Sequence, residues 1–198
     1  TLSDGRKIGN PRYLKKYERK LAREQRRLSR RKGARRDEKP SDRYLKQRKR
    51  VARIHAKIAD ARTDALHKVT TMLADENQVL CMEDLNAKGM VRNHHLAKAV
   101  SDASFGEFAR LLEYKCAERG RTLDKVGRFY PSSKTCSACG HRLDALPLSV
   151  RVWDCPACGA HHDRDVNAAR NILAEGKRVL SNTEGTAGHA GTVAAVPA

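Results

Sequence analysis

Four cysteines of this chain are spaced to hold one metal ion. Cys136 and Cys139 form one C-x-x-C pair, and Cys155 and Cys158 form a second, separated by the interval that zinc ribbons use. Each pair lets two thiolates from one tight turn reach the same ion. Gly140 and Gly159, one directly after each pair, permit the positive φ that such a turn requires. A tetrahedral four-sulfur set favours Zn2+, and a closed shell leaves no position for a substrate, so the zinc is expected to be structural. His141, His161 and His162 then fall outside the shell, as exposed or ligand-supporting side chains. His94 and His95 are expected in a loop.

The second cysteine pair runs straight into Asp163, Asp165 and a helix start, "VNAARNI". Acidic residues favour the first turn of a helix, which is one reading of both aspartates. The other is that the metal staple holds a catalytic carboxylate in place. Spacing alone leaves both open. Glu83 and Asp84 end a short apolar run, "QVLCMEDLN", where carboxylates are costly unless paired or metal-bound. Two-metal nucleases need several carboxylates converging on ions about 3.5–4 Å apart, and linear spacing does not reveal convergence.

The elements that must position these groups follow from periodicity. "QVLCMEDLN", residues 78–86, reads as a buried strand and "RTLDKVG" as a second. Between them "SFGEFARLLEYKCAERG" reads as a helix, with Ser104 and Glu107 as a capping box and Gly120 as its stop. Strand, helix, strand predicts an α/β core. Upstream, Asn10 and Pro11 are expected to open a helix carrying Leu14, Tyr17, Leu21 and Leu28, which "GARRDEKP" then breaks. A longer helix is expected from about Ser41 to Leu73, with a near-heptad seam of Tyr44, Val51, Ile54, Ile58, Ala61, Ala65 and Met72. The two form an antiparallel hairpin. "TLSDGRKI" reads as half of a β-hairpin turning at Asp4-Gly5. The stretch after Glu175 has little to bury and is expected to be disordered.

The net charge of +18 is confined to one region. Between Arg6 and Arg62 there are 24 basic and 6 acidic residues, leaving 17 of each elsewhere. One basic element on a neutral body points to a polyanionic partner, and Arg23, Arg27, Arg30 and Arg50 are its candidate nucleic-acid contacts. No apolar run is long enough to span a membrane, and no signal segment opens the chain. Cysteines paired for metal rather than disulfides fit a reducing, cytoplasmic setting. Oligomeric state is not legible.

Taken together, "GRFYPSSKTCSACG…WDCPACGAHHDRDVNAARNIL", "VLCMEDLNAKGM" and the basic "NPRYLKKYERKL" segment resemble the TnpB/OrfB-type insertion-sequence proteins over roughly residues 1–174. These are RNA-guided DNA endonucleases. The resemblance implies an RNase H-like, RuvC-like core using three carboxylates and Mg2+, with DNA and a guide RNA as partners. It assigns Glu83 to the middle catalytic carboxylate and Asp165 to the last, with Asp163 as a neighbour or cap. It also places the first catalytic Asp on a strand ahead of the "TLSDGRKI" hairpin, so Asp4 is not that residue. The expected organisation is a residual hairpin strand over 1–10, a basic helical hairpin over 11–74 and an α/β core over 75–130. A zinc ribbon over 131–162, a final catalytic helix over 163–175 and a disordered tail over 176–198 complete it. On this reading the chain is a nuclease portion lacking the first strand of its core, and is inactive alone. The alternatives are a non-catalytic zinc-ribbon nucleic-acid-binding protein and a structural coiled-coil adaptor.

Overall fold

The computed structural model describes residues 1–32, 39–183 and 193–196; for the last four, and for Thr183, only the backbone is described. Helix α1 (Tyr13–Arg30) and helix α2 (Asp42–Glu76) pack side by side through Leu21, Val51, Ile54 and Ile58, with Tyr13, Leu14, Tyr17 and Leu28 at the margins. The break expected between them lies largely outside the described residues. Helix α2 begins as predicted: the Ser41 hydroxyl accepts from the Tyr44 amide at 3.2 Å. Helix α1 does not. Asn10 accepts from the Arg12 amide at 2.9 Å, a local turn, and the helix starts later, after Arg12 in a left-handed conformation (φ 51°).

The predicted seam of α2 changes partner along its length. Its first half meets α1, whereas Val69, Met72, Leu73 and Ala74 enter the α/β core against Leu112 and Cys116. Within the hairpin a polar position is fully buried. Gln47 Nε2 donates to the Glu24 carbonyl and carboxylate at 3.0 and 2.8 Å, and Arg31 donates to Gln47 Oε1 at 3.0 Å. An apolar seam does not announce such a residue; a buried, satisfied polar group of this kind fixes register.

The core sheet consists of β1 (Val79–Glu83), β2 (Thr122–Val126) and β5 (Val193–Val196), in the order β2-β1-β5 and all parallel. Helices α3 (Ala87–Arg92), α4 (Ala97–Ala103) and α5 (Phe105–Glu118) lie between β1 and β2. Ser104 does not cap α5. Its φ is 53° and its hydroxyl donates back to Ser101, while Glu107 pairs with Arg110. The short α4 running directly into α5 forces that kink and removes the capping box. His94 and His95 do lie in a loop, between α3 and α4.

One face of β1 buries Leu80 and Met82 with Leu2, Leu73 and Leu112; the other sets Cys81 with Val126 of β2 and with Ala169 and Ile172 of helix α6 (Arg164–Thr183). Two boundary expectations are corrected. Residues 1–10 contain no strand: a turn closes from Leu2 to Arg6, and Leu2 is fully buried in the core instead. The chain after residue 175 is not a structureless tail among its described residues, because α6 continues to Thr183 and β5 pairs with Val79–Met82 of β1. Val193-Ala-Ala-Val196 is short, but a parallel strand beside buried β1 needs only a few β-compatible residues.

Candidate metal centre and carboxylate site

The cysteines that sequence spacing selects are brought together. The sulfurs of Cys136, Cys139, Cys155 and Cys158 all lie within 4.8 Å of one another, and none forms a disulfide. Cys136 to Cys158 and Cys139 to Cys155 are each 3.7 Å. A tetrahedral site with Zn–S of about 2.3 Å has sulfur–sulfur edges of about 3.8 Å, so the donor set fits zinc in type, number and separation. Each knuckle closes as expected. Gly140 (φ 78°) donates to the Cys136 carbonyl, and Gly159 (φ 71°) to that of Cys155. Strands β3 (Val152–Asp154) and β4 (His161–Asp163) pair antiparallel behind the tetrad, over a small core of Trp153, Leu143, Leu146 and Val150.

Of the histidines among the described residues, only His162 is buried. Its Nε2 is 3.1 Å from Cys136 Sγ and its ring lies 4.7 Å from that of Trp153. Burial lowers its pKa, with Arg170 and His161 adding to the effect, so the ring is neutral near pH 7. With its proton on Nε2 it donates to the sulfur. His161 pairs instead with exposed Asp154 at 2.6 Å.

Strand β4 delivers the chain into α6, and Asp163 is the helix cap. Its Oδ1 accepts from the Asp165 and Val166 amides, both at 3.0 Å, and its Oδ2 pairs with Lys7 at 2.7 Å. The Lys7 ammonium and the Val166 amide hold its carboxyl below the usual carboxylate range. Asp165 is left half-exposed in the first turn, with Arg151 at 4.0 Å. Glu83 closes β1, and its Oε1 accepts from the Ser132 hydroxyl at 2.9 Å. Asp84 is engaged by Arg128 at 2.7 Å.

Two further residues tie α6, the helix of Asp165, to the loop whose Ser132 holds Glu83. Asn167 and Asn171, one turn apart on α6, are buried and reach the loop that precedes the first knuckle. Asn171 Nδ2 donates to the carbonyls of Ser132 (2.7 Å) and Thr135 (2.6 Å). Asn167 Nδ2 donates to Thr135 at 2.7 Å and its Oδ1 accepts from the Ser137 amide at 2.9 Å. The i, i+4 spacing of the two asparagines is the signal in the sequence that places both on one face of the helix. Among the described residues only the four cysteines gather three or more potential ligands around one point; Glu83 and Asp165 do not gain a third carboxylate.

The basic candidates are exposed on the hairpin. Arg23 and Arg27 flank Glu24 at 3.3 and 3.0 Å, whereas Arg30 and Arg50 face solvent. A groove of about 1160 Å³ runs from Glu83 and Asp84 to the start of α1, with Arg12, Lys15, Arg62 and Arg128 on its walls.

Two family profiles match the chain: "Probable transposase" (OrfB_IS605) over residues 1–94 and "Cas12f1-like, TNB domain" over residues 105–172. A Streptomyces pristinaespiralis protein named "Putative RNA-guided DNA endonuclease" is 49% identical over 176 residues, covering 89% of this chain and 42% of its own. "Putative RNA-guided DNA endonuclease InsQ" of Escherichia coli K12 is 35% identical over 196 residues, covering 91% of this chain and 47% of its own. Among solved structures, Cas12f1 in its complex with sgRNA and target DNA superposes with a TM-score of 0.54 at 20% identity, covering 80% of this chain and 41% of that one. At that identity the likeness is one of fold. The chain spans less than half the length of these relatives. On the two profile matches and these relatives, the chain belongs to the TnpB/OrfB-type family of insertion-sequence proteins.

Proposed function

We propose that the chain is the nuclease-domain portion of an RNA-guided DNA endonuclease, with an RNase H-like, RuvC-like core that hydrolyses phosphodiesters with Mg2+. Glu83 and Asp165 are its carboxylates. The observation that carries this reading is the path from Glu83 through Ser132 to Asn167, two residues beyond Asp165, which sets the end of β1 against the first turn of α6. Both carboxylates are partly open to water, as oxygen ligands of a hydrated Mg2+ must be. Bound there, the ion would activate a water and neutralise the leaving oxygen. The chain's own residues do the rest. Arg128 occupies Asp84, so Glu83 is the acid of that pair left to a metal. The groove leading from Glu83 is lined by cations that suit a phosphate backbone, and the outer face of α1 and α2 extends that surface. The zinc tetrad is structural, holding β4 and hence the start of α6. DNA and guide RNA are the proposed partners, met in the cytoplasm.

A second reading, a zinc-ribbon protein that binds nucleic acid without cutting it, is favoured by one observation: the two carboxylates lack a third ligand among the described residues. Cleavage separates the two. Fused to the remainder of the Streptomyces relative and given its guide RNA, the chain should cut target DNA with Mg2+ and lose cutting, not binding, on Glu83→Ala or Asp165→Ala. Full cutting by both variants would overturn the assignment, and binding with no cutting by the unsubstituted fusion would favour the second reading.

A further inference from the structure

We infer that Ser132 is a positioning residue for Glu83, and that the loop Pro131–Ser137 transmits the placement of the first zinc knuckle to the carboxylate site. The inference rests on Glu83 being a metal ligand and names what orients it. The Ser132 side chain is buried, and its hydroxyl donates to Glu83 Oε1 at 2.9 Å. That spends one lone pair of one oxygen and leaves Oε2 to an ion. No other group among the described residues donates to this carboxylate, which sits at a strand end partly open to water, so its rotamer rests on this bond.

Ser132 is itself held on every side. Its carbonyl accepts from Asn171 at 2.7 Å and from Asn167 at 3.4 Å. The same asparagines hold the Thr135 carbonyl, and Thr135 Oγ1 closes the turn onto Pro131 at 3.0 Å. Asn167 then accepts from the Ser137 amide, one residue beyond the zinc ligand Cys136. The loop is therefore pinned to α6 by two buried side chains and to the cysteine tetrad by Cys136, while its Ser132 side chain touches Glu83 at the end of β1. Buried amides with their donors and acceptors filled make a rigid support, because any shift leaves a polar group unpaired. Glu83 and Asp165 come from separate elements. This loop is the hydrogen-bonded link between the end of β1 and the first turns of α6.

The test uses the present chain and Mn2+ as the probe, with affinity followed by electron paramagnetic resonance. Glu83→Ala first establishes that the carboxylate contributes to Mn2+ binding. Ser132→Ala should then weaken Mn2+ about tenfold, the range for losing a ligand's outer partner. Ser132→Thr, which keeps the hydroxyl, should restore affinity to within about twofold on the same scale. Co2+ in the cysteine tetrad gives a visible spectrum that reports the ribbon separately, and it should be unchanged in both variants. Equal Mn2+ affinity in Ser132→Ala and the parent, with Glu83→Ala impaired, overturns the positioning role alone. No effect of Glu83→Ala overturns the metal-ligand reading and this inference with it. A Co2+ spectrum altered by Ser132→Ala would make the serine a fold residue and overturn its specific role.

Discussion

His162 and Cys136 meet at 3.1 Å across the ribbon, and the strand that carries His162 ends on Asp163, the cap of α6. The metal tetrad and the start of the final helix are thus one mechanical unit. Removing zinc should loosen both. Structural zinc contributes folding free energy directly, and the ribbon's own core is only a handful of apolar side chains. Trp153 is the single tryptophan of the chain and is buried there. Chelation, or Cys136→Ser, should shift its emission to the red, and elemental analysis of the parent should find one zinc per chain. Unshifted emission after complete zinc removal would refute the structural role.

Asp163 should act as a cap rather than a catalyst. Asp163→Ala removes two amide partners and should cost about 1 kcal/mol, measured by urea denaturation. Its pair with Lys7 is exposed and screened by solvent, so the cap is the larger contribution. Because the folded pKa is depressed, this contribution is full above the unfolded value near 4 and is lost as pH falls through the folded one. Asp163→Asn should keep most of the cap while flattening stability between neutral and acid pH. An unchanged acid profile in Asp163→Asn would show that another group carries it.

Asn171→Ala should destabilise the junction of α6 and the knuckle loop by about 1–3 kcal/mol, since it strips a donor from the buried Ser132 carbonyl and another from the partly buried Thr135 carbonyl. A thermal midpoint equal to that of the parent would mean that Asn167 alone suffices.

Gly176 is a test of close packing. A Cβ there would meet Cys81 Sγ at 2.3 Å and Asp124 Oδ2 at 3.1 Å. Gly→Ala within a helix gains up to about 1 kcal/mol of propensity. Overpacking against β1 costs about 1–3 kcal/mol, so Gly176→Ala should be destabilising on balance. Adding Cys81→Ala should recover part of the loss; greater stability of Gly176→Ala alone would contradict the packing.

Nucleic-acid affinity should fall steeply between about 50 and 200 mM salt. Reversing Arg30 and Arg50, both exposed on the hairpin, should flatten that dependence by about one unit of slope per contact removed. A salt-independent affinity would mean that the basic face does not track phosphates.

The sequence by itself determined the features that repeat or cluster along the chain. The two C-x-x-C pairs with their glycines, the 3.6-residue period of the hairpin and the apolar run of β1 each encode a local geometry that needs no distant partner. The confined excess of +18 likewise located the basic surface. What only the tertiary structure decided depends on groups far apart in sequence. Gln47 is buried because Glu24 of α1 and Arg31 just past that helix's end satisfy it, and Leu2 is core because the chain's first turn folds under β1. Ser104 fails as a cap because α4 abuts α5. Ser132, Asn167 and Asn171 look like ordinary polar residues until the knuckle loop lies on α6 and gives each one its partner. Periodicity records which face of an element is apolar, but a hydrogen bond across 39 or 49 positions is written only in the packing that brings its two ends together.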